Sequence, residues 1–67
     1  MRIQVNGEPR ELSAALPLAQ LLDELRVQAQ TGVAVLLNGE VVRRSDWPRV
    51  TVQADDELEI VRATVGG

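Results

Sequence analysis

The sequence has no cysteine, no histidine, no tyrosine and no phenylalanine, and Trp47 is its one aromatic residue. Without cysteine, the chain forms no disulfide and offers no thiolate. Without histidine, it lacks the side chain that most often serves as a general base or a metal ligand. A conventional active site is therefore hard to build from these side chains. We expect the chain not to be an enzyme, to have no catalytic or metal-binding residues and to bind no cofactor itself.

Lysine is also absent, so all seven basic residues are arginine, set against ten acidic residues. The formal net charge of -3 argues against a nucleic-acid partner, which selects basic surfaces that neutralise phosphates. The missing lysine means that no side-chain amine is present for an activated carboxyl group of the chain to acylate. Base-composition bias in the source genome also explains that absence, and at this stage it is the favoured explanation.

No apolar run approaches the roughly 20 residues that cross a bilayer, and no basic-then-apolar signal segment opens the chain. We therefore expect no membrane association and a cytoplasmic location. A length of 67 residues corresponds to one domain. We expect a folded body over residues 1–63 and a flexible tail over residues 64–67.

The first half of the chain reads as a hairpin followed by a helix. Strands are predicted over Arg2–Asn6 and Glu8–Leu12, because apolar and polar residues alternate around Asn6-Gly7, the strongest short hairpin signal. A helix is predicted over Pro17–Arg26, with Pro17 as its first residue. Its core stripe has the spacing i, i+3, i+4 and i+7 and consists of Leu18, Leu21, Leu22 and Leu25.

The second half begins with another hairpin around Asn38-Gly39. The first strand, Val33–Leu37, is apolar on both faces, and the return strand is predicted over residues 40–43. A short helical turn follows, in which Ser45 is the expected cap and Trp47 is expected to close one end of the core. The remaining predictions are a short strand at 50–52, a solvated acidic turn at 54–57, preferred over a metal site, and a last strand at 58–63.

This order of elements predicts an α+β protein with a ubiquitin-like β-grasp fold. The mixed sheet would have four to five strands, and one main helix would pack on one face. The first and last strands would lie side by side and parallel in the centre. An SH3-like barrel is less favoured, because the helix is too long and too amphipathic for a barrel connector.

The whole chain resembles the ThiS family of small ubiquitin-like sulfur carriers of thiamin biosynthesis. The resemblance rests on Ile3-Gln4-Val5-Asn6-Gly7, Leu21-Leu22-Asp23-Glu24-Leu25, Leu37-Asn38-Gly39-Glu40-Val41-Val42, Arg44-Ser45-Asp46-Trp47, Asp56-Glu57-Leu58-Glu59-Ile60-Val61 and Gly66-Gly67. The chain departs from the family in two places. It has Arg43 where the family often has proline, and Ala54-Asp55-Asp56 where the family usually has Asp-Gly-Asp.

The resemblance implies that the working group is the carboxylate of Gly67, with Gly66 giving clearance in a narrow cleft. A ThiF-type adenylating enzyme would activate it with ATP and magnesium. A sulfurtransferase or cysteine desulfurase would supply sulfur for a thiocarboxylate, which would be delivered to thiazole synthase. A carrier for another pathway (molybdopterin, cysteine or a thio-natural product) and a plain ubiquitin-like interaction module remain open alternatives.

A partner that orders the tail needs a docking surface on the folded body. The expected surface is the sheet face away from the helix, since exposed apolar patches mark interaction sites. A solvated Arg62 and an ordinary surface are the competing interpretations. The residues predicted to contribute to docking are Val33, Val35, Leu37, Val61, Arg62, Ala63 and Val65.

Overall fold

The computed structural model describes residues 1–27 and 32–62. The elements follow in the order β1 Arg2–Val5, β2 Glu8–Glu11, β3 Leu16–Pro17, α1 Leu18–Glu24, β4 Val33–Leu37, β5 Glu40–Val41, a 3-10 helix Arg44–Arg49, β6 Thr51–Val52 and β7 Glu57–Arg62. Strand β4 has the predicted bounds, and the ends of the other predicted strands and of the helix differ from these by at most two residues. The predicted tail, residues 64–67, and Ala63 lie outside the described residues, so the division into body and tail stays a prediction.

The main sheet has five strands in the order β2-β1-β7-β4-β5. Strand β1 runs parallel to β7 in the centre, while β4 runs antiparallel to β7 on its other side. Both local hairpins pair antiparallel. This arrangement, with one main helix packed on the sheet, confirms the predicted α+β, ubiquitin-like β-grasp fold.

Both Asn-Gly dipeptides form the predicted tight turns. Asn6 and Gly7 have φ of 51° and 82°, and Asn38 and Gly39 have φ of 52° and 86°. Positive φ at both central positions is the type I′ geometry, whose twist matches that of the flanking strands. Asparagine tolerates this region better than most residues, and glycine has no Cβ to clash.

Helix α1 buries the predicted leucine stripe. Leu18, Leu21 and Leu22 are fully buried, and each such side chain stabilises the fold by about 1.5–3 kcal/mol relative to leaving it exposed. Leu25 packs against this core while partly buried. The prediction for Pro17 is wrong, because it is the extended N-cap residue, with ψ of 142°, and it pairs with Thr51 in a strand.

Arg26 ends α1 in a left-handed conformation, with φ of 61°. Its N–H donates to the Asp23 carbonyl at 3.0 Å, and the Val27 N–H donates to the Leu22 carbonyl at 2.8 Å. These two bonds form a Schellman motif, a helix end that usually places glycine where this chain has Arg26. An L-residue pays a steric cost in this conformation.

Arg26→Gly is therefore expected to raise the free energy of unfolding by about 1 kcal/mol, because removing Cβ relieves that cost. Urea denaturation measures the change. Asp55→Gly is the matched control, since Asp55 also has a positive φ of 70° but aspartate tolerates this region better than arginine. The control is expected to gain less. A loss of stability in Arg26→Gly would contradict the strained helix end.

A second, two-stranded sheet joins β3 to β6 and was not predicted as such. Leu16 pairs with Val52, which is fully buried, so this small sheet closes the core beside α1. The 3-10 helix packs against both α1 and β3. The prediction that Ser45 caps it is wrong, because Arg43 is the N-cap residue and no side chain caps the helix.

Trp47 is buried, with 6% of its surface exposed, as predicted. Its Nε1–H donates to the Val42 carbonyl at 3.0 Å, so the polar atom of the ring is satisfied. The other buried core residues are Ile3, Leu18, Leu21, Leu22, Val27, Val35, Val52 and Leu58.

In the acidic turn, Asp55 takes the left-handed conformation, with φ of 70°. Asp56 holds the turn, because its carboxylate accepts from the Gln53 N–H at 2.8 Å. Within residues 1–27 and 32–62, no group of three acidic side chains is arranged to hold a metal ion. Across the same residues, no helix is long and apolar enough to span a bilayer.

Candidate functional site

Strand β7 is the element that leads into the Gly66-Gly67 end of the chain. Its last described residue is Arg62, which pairs with Val33. The predicted site residues Ala63, Val65, Gly66 and Gly67 follow it and lie outside the described residues. The structure therefore describes the strand that precedes this end and the contacts that hold that strand.

Asn6 holds β7 on one side. Its backbone N–H donates to the Leu58 carbonyl at 2.8 Å, and its side-chain Oδ1 accepts from the Ile60 N–H at 2.8 Å. The β1–β7 pairing ends at Val5 and Leu58, where β1 enters its turn. The Asn6 carboxamide therefore replaces a missing ladder partner and satisfies the next N–H of β7.

Asn38 holds the beginning of β7 from the other side. Its N–H donates to the Glu57 carbonyl at 2.8 Å, and its Oδ1 accepts from the Glu57 N–H at 2.9 Å. Its Nδ2 also donates to the Asp56 carboxylate at 3.1 Å. The sequence predicted only turn roles for Asn6 and Asn38. Their bonds to β7 depend on strands that are distant in sequence, and the one available signal was the repeated choice of asparagine before glycine.

The outer face of the sheet, opposite α1, carries an apolar patch. Paired residues share a face, and the register pairs Leu36 with Val41 and Ala34 with Val61. Val41 and Val61 are 69% and 44% exposed, while Ala34 and Leu36 are half-buried. We call these four residues the outer apolar patch.

The β4 side chains that were predicted to face outward for docking face the core instead. Val35 is fully buried in the core, and Val33 and Leu37 pack against that core on the helix side. These three residues therefore do not form the outer face of β4. Because side chains alternate along a strand, the outward positions are Ala34 and Leu36. The pattern of five apolar residues could not show which alternate set faced the helix.

The end of the sheet from which β7 departs carries exposed arginines. Arg62 closes β7 and is exposed. The Val42 N–H donates to the Val35 carbonyl at 2.8 Å just past the end of β5, and the exposed Arg43 follows it. The opposite end of the sheet is acidic, with Asp55, Asp56 and Glu57.

No charged or polar side chain is buried among the residues that the structure describes. The polar side chains of these described residues connect strands and turns. The exposed surface carries the outer apolar patch and arginines. Such an arrangement can present a chain end and dock a partner.

Together, the parallel β1–β7 centre, the crossing helix and the mixed five-stranded sheet define a ubiquitin-like β-grasp body. The sequence profile described as "ThiS family" matches residues 3–67. The chain belongs to the ThiS family.

Both a short relative and longer relatives match the whole chain. The chain is 30% identical to the sulfur carrier protein ThiS of Escherichia coli, over the full length of both proteins. It is 43% identical over its whole length to a thiazole synthase of Paramagnetospirillum magneticum, of which it spans only 20%. The chain thus spans about a fifth of the length of the curated thiazole synthases that it matches.

A crystal structure of the thiamine biosynthesis protein ThiS from Geobacter metallireducens has a similar fold. The TM-score is 0.85 at 35% identity, with 100% of both chains covered.

Proposed function

We propose that the chain is a sulfur carrier of thiamin biosynthesis whose working group is the carboxylate of Gly67. The observation that carries the proposal is the family match, which extends to Gly67 itself. The full-length similarity to the E. coli protein named as a sulfur carrier supports it. The body described above then serves to present and position that carboxylate.

A carboxylate is a poor electrophile, because its charge is delocalised and its leaving group would be oxide. A ThiF-type adenylating enzyme would activate the Gly67 carboxylate by joining it to the α-phosphate of ATP, with magnesium, and releasing pyrophosphate. The resulting mixed anhydride has AMP as a good leaving group. A persulfide from a sulfurtransferase or cysteine desulfurase would displace AMP, and reduction of the resulting acyl disulfide by a thiol would leave a thiocarboxylate.

Gly66 and Gly67 suit a narrow cleft, because glycine has no side chain to clash and reaches φ values closed to other residues. Ordering such a segment costs about 1–2 kcal/mol of backbone entropy per residue. Contacts between the partner and the folded body must offset this cost. In addition to Gly67, the proposed function therefore requires a docking surface on the folded body that the partner can bind.

The outer apolar patch is the surface that we assign to the adenylating enzyme. It lies on β4, β5 and β7, and Val61 is one residue from the described end of β7. Exposed apolar patches mark interaction sites. Thiazole synthase is the proposed acceptor of the sulfur, supported by the long relatives of that name in which a ThiS-like part is joined to a larger remainder.

Val41→Glu is expected to weaken binding of the adenylating enzyme by about 10–100-fold, because it places a charge within a desolvated apolar contact. Isothermal titration calorimetry measures the affinity. Ser13→Glu is the matched control, because it adds the same charge at an exposed position outside the outer apolar patch, and its affinity is expected to stay unchanged. Equal weakening by both variants would indicate a net-charge effect and contradict docking through this patch.

The proposed function is tested by incubating the chain with a ThiF-type enzyme, ATP, magnesium and a sulfur donor. Intact-mass spectrometry is expected to show one oxygen replaced by sulfur, and omission of ATP to prevent the change. If a competent enzyme preparation forms neither an acyl-adenylate nor a thiocarboxylate on the chain, the carrier function is wrong.

A further inference from the structure

An activated carboxyl group reacts with any amine that reaches it, and this is a hazard for a carrier whose acyl group must pass to sulfur. We infer that the all-arginine cationic surface around the end of β7 protects the activated Gly67 from amide formation with its own chain. The inference rests on the proposed function and extends it. It assigns the arginines a chemical role in addition to their charge.

Arginine and lysine differ sharply as nucleophiles. The guanidinium group stays protonated in proteins and its nitrogen lone pairs are delocalised. It is therefore not acylated by an activated carboxyl group under physiological conditions. Lysine has an ordinary pKa of about 10.4, so a small fraction is a free and strongly nucleophilic amine near neutral pH. Replacing arginine by lysine preserves the positive charge and introduces a nucleophilic amine, so the substitution changes the reactivity without changing the charge.

The arginines lie where an activated chain end can reach them. Arg62 is the last described residue of β7, and five residues follow it to Gly67. Five residues span at most about 17 Å. Val42, the residue before Arg43, bonds to Val35, which pairs with Ile60, so two strand spacings of about 5 Å each separate Val42 from β7. A lysine at position 43 would therefore be within reach of the acyl group.

The amine of Met1 is held away from this chemistry. It donates to the Leu12 carbonyl at 2.7 Å and lies 3.6 Å from the Glu11 carboxylate. Gln4 pairs with Glu57, so the parallel β1–β7 register places Met1 beyond the start of β7. Met1 and Arg62 are then separated by about eight strand residues, or roughly 26 Å, which exceeds the span of five residues.

The reaction that arginine prevents is ordinary aminolysis. The lysine nitrogen would attack the acyl carbon of the Gly67 adenylate, forming the C–N bond of an isopeptide. The bond from that carbon to the AMP oxygen would break, AMP would leave with the electron pair, and the nitrogen would lose a proton to solvent. Within one chain, the product is one water lighter than the unmodified protein.

Arg43→Lys tests the inference, and Arg10→Lys is the matched control. Arg10 lies on β2 opposite Ile3, about six strand residues or roughly 20 Å along the sheet from Arg62, which exceeds the span of five residues. Each variant is incubated at low concentration with the adenylating enzyme, ATP and magnesium, without a sulfur donor, and its intact mass is measured. A parallel sample with hydroxylamine traps the adenylate as a hydroxamate, which normalises each variant for its rate of activation.

The expected result is a water-lighter product in Arg43→Lys at about tenfold or more the yield in Arg10→Lys, because proximity raises the effective concentration of the amine. The unmodified sequence is expected to form the hydroxamate and no water-lighter product. Hydroxamate in all three proteins without the isopeptide in Arg43→Lys would overturn the inference and leave base composition as the explanation of the arginines. Absence of hydroxamate from all three would overturn the proposed function and this inference together.

Discussion

Replacing Trp47 by alanine is expected to lower the free energy of unfolding by about 3–5 kcal/mol, the usual cost of truncating a buried tryptophan. A domain of this length has a total stability on the order of 3–10 kcal/mol. The substitution therefore removes much of the stability of the whole body. Trp47 is the one aromatic side chain, is 6% exposed and lies on the 3-10 helix that packs against α1 and β3.

Thermal unfolding followed by far-UV circular dichroism measures this effect, because the variant has no tryptophan fluorescence. Trp47→Phe is the matched control. It keeps most of the buried ring but loses the Nε1–H bond to the Val42 carbonyl, so a smaller loss of about 1–3 kcal/mol is expected. A melting curve for Trp47→Ala that matches the original protein would contradict the placement of Trp47 in the core.

Blocking the Gly67 carboxylate as an amide is expected to abolish sulfur loading and to leave the melting temperature unchanged. An amide cannot be joined to AMP through a carboxylate oxygen, so the proposed pathway stops at its first step. The described core consists of residues between Ile3 and Leu58, which predicts that the body folds independently of Gly67. Intact mass measures loading, and circular dichroism measures folding.

The matched control is the same semisynthetic chain with a free carboxylate, which is expected to load sulfur normally. Deletion of Gly67 is expected to behave like the amide, because the new end lies one residue short of the reacting phosphate. Sulfur loading of the amide-blocked chain would place the reactive group elsewhere. Unfolding of either blocked or shortened chain would mean that this end is structural.

The fold was predictable because its strongest signals are local. Asn6-Gly7 and Asn38-Gly39 specify two tight turns, and the leucine spacing specifies one helix face. Two hairpins separated by a helix and followed by a last apolar strand leave few ways to bury every apolar face. The β3–β6 sheet was harder to foresee, because two-residue strands carry too little pattern to be distinguished from a loop.

The docking prediction shows where sequence patterns stop. Val33–Leu37 is apolar at every position, and alternation therefore gives no sign of which residues face the helix. The pairing with β7 determines which β4 side chains face the helix. It sets Val35 against Ile60 in the interior and Ala34 against Val61 on the outer face. The contribution of Val41 was missed for the same reason, since its exposure follows from its pairing with Leu36.

The asparagine contacts to β7 are a third case. Turn propensity accounts for Asn6 and Asn38, but it says nothing of the amides of Ile60 and Glu57 that their side chains bind. These bonds join residues 54 and 19 positions apart. They exist because the fold brings both turns against the strand that leads to Gly67.

The most direct test of the central role of Gly67 is tandem mass spectrometry of the protein isolated from its own cells. The C-terminal fragment is expected to end at Gly67 in two forms, a free carboxylate and a thiocarboxylate, with the sulfur localised on the last residue. The thiocarboxylate fraction is expected to disappear when the adenylating enzyme is deleted. A Gly67 that is always in peptide linkage to a following residue, or a C-terminal fragment that never carries sulfur, would contradict the account.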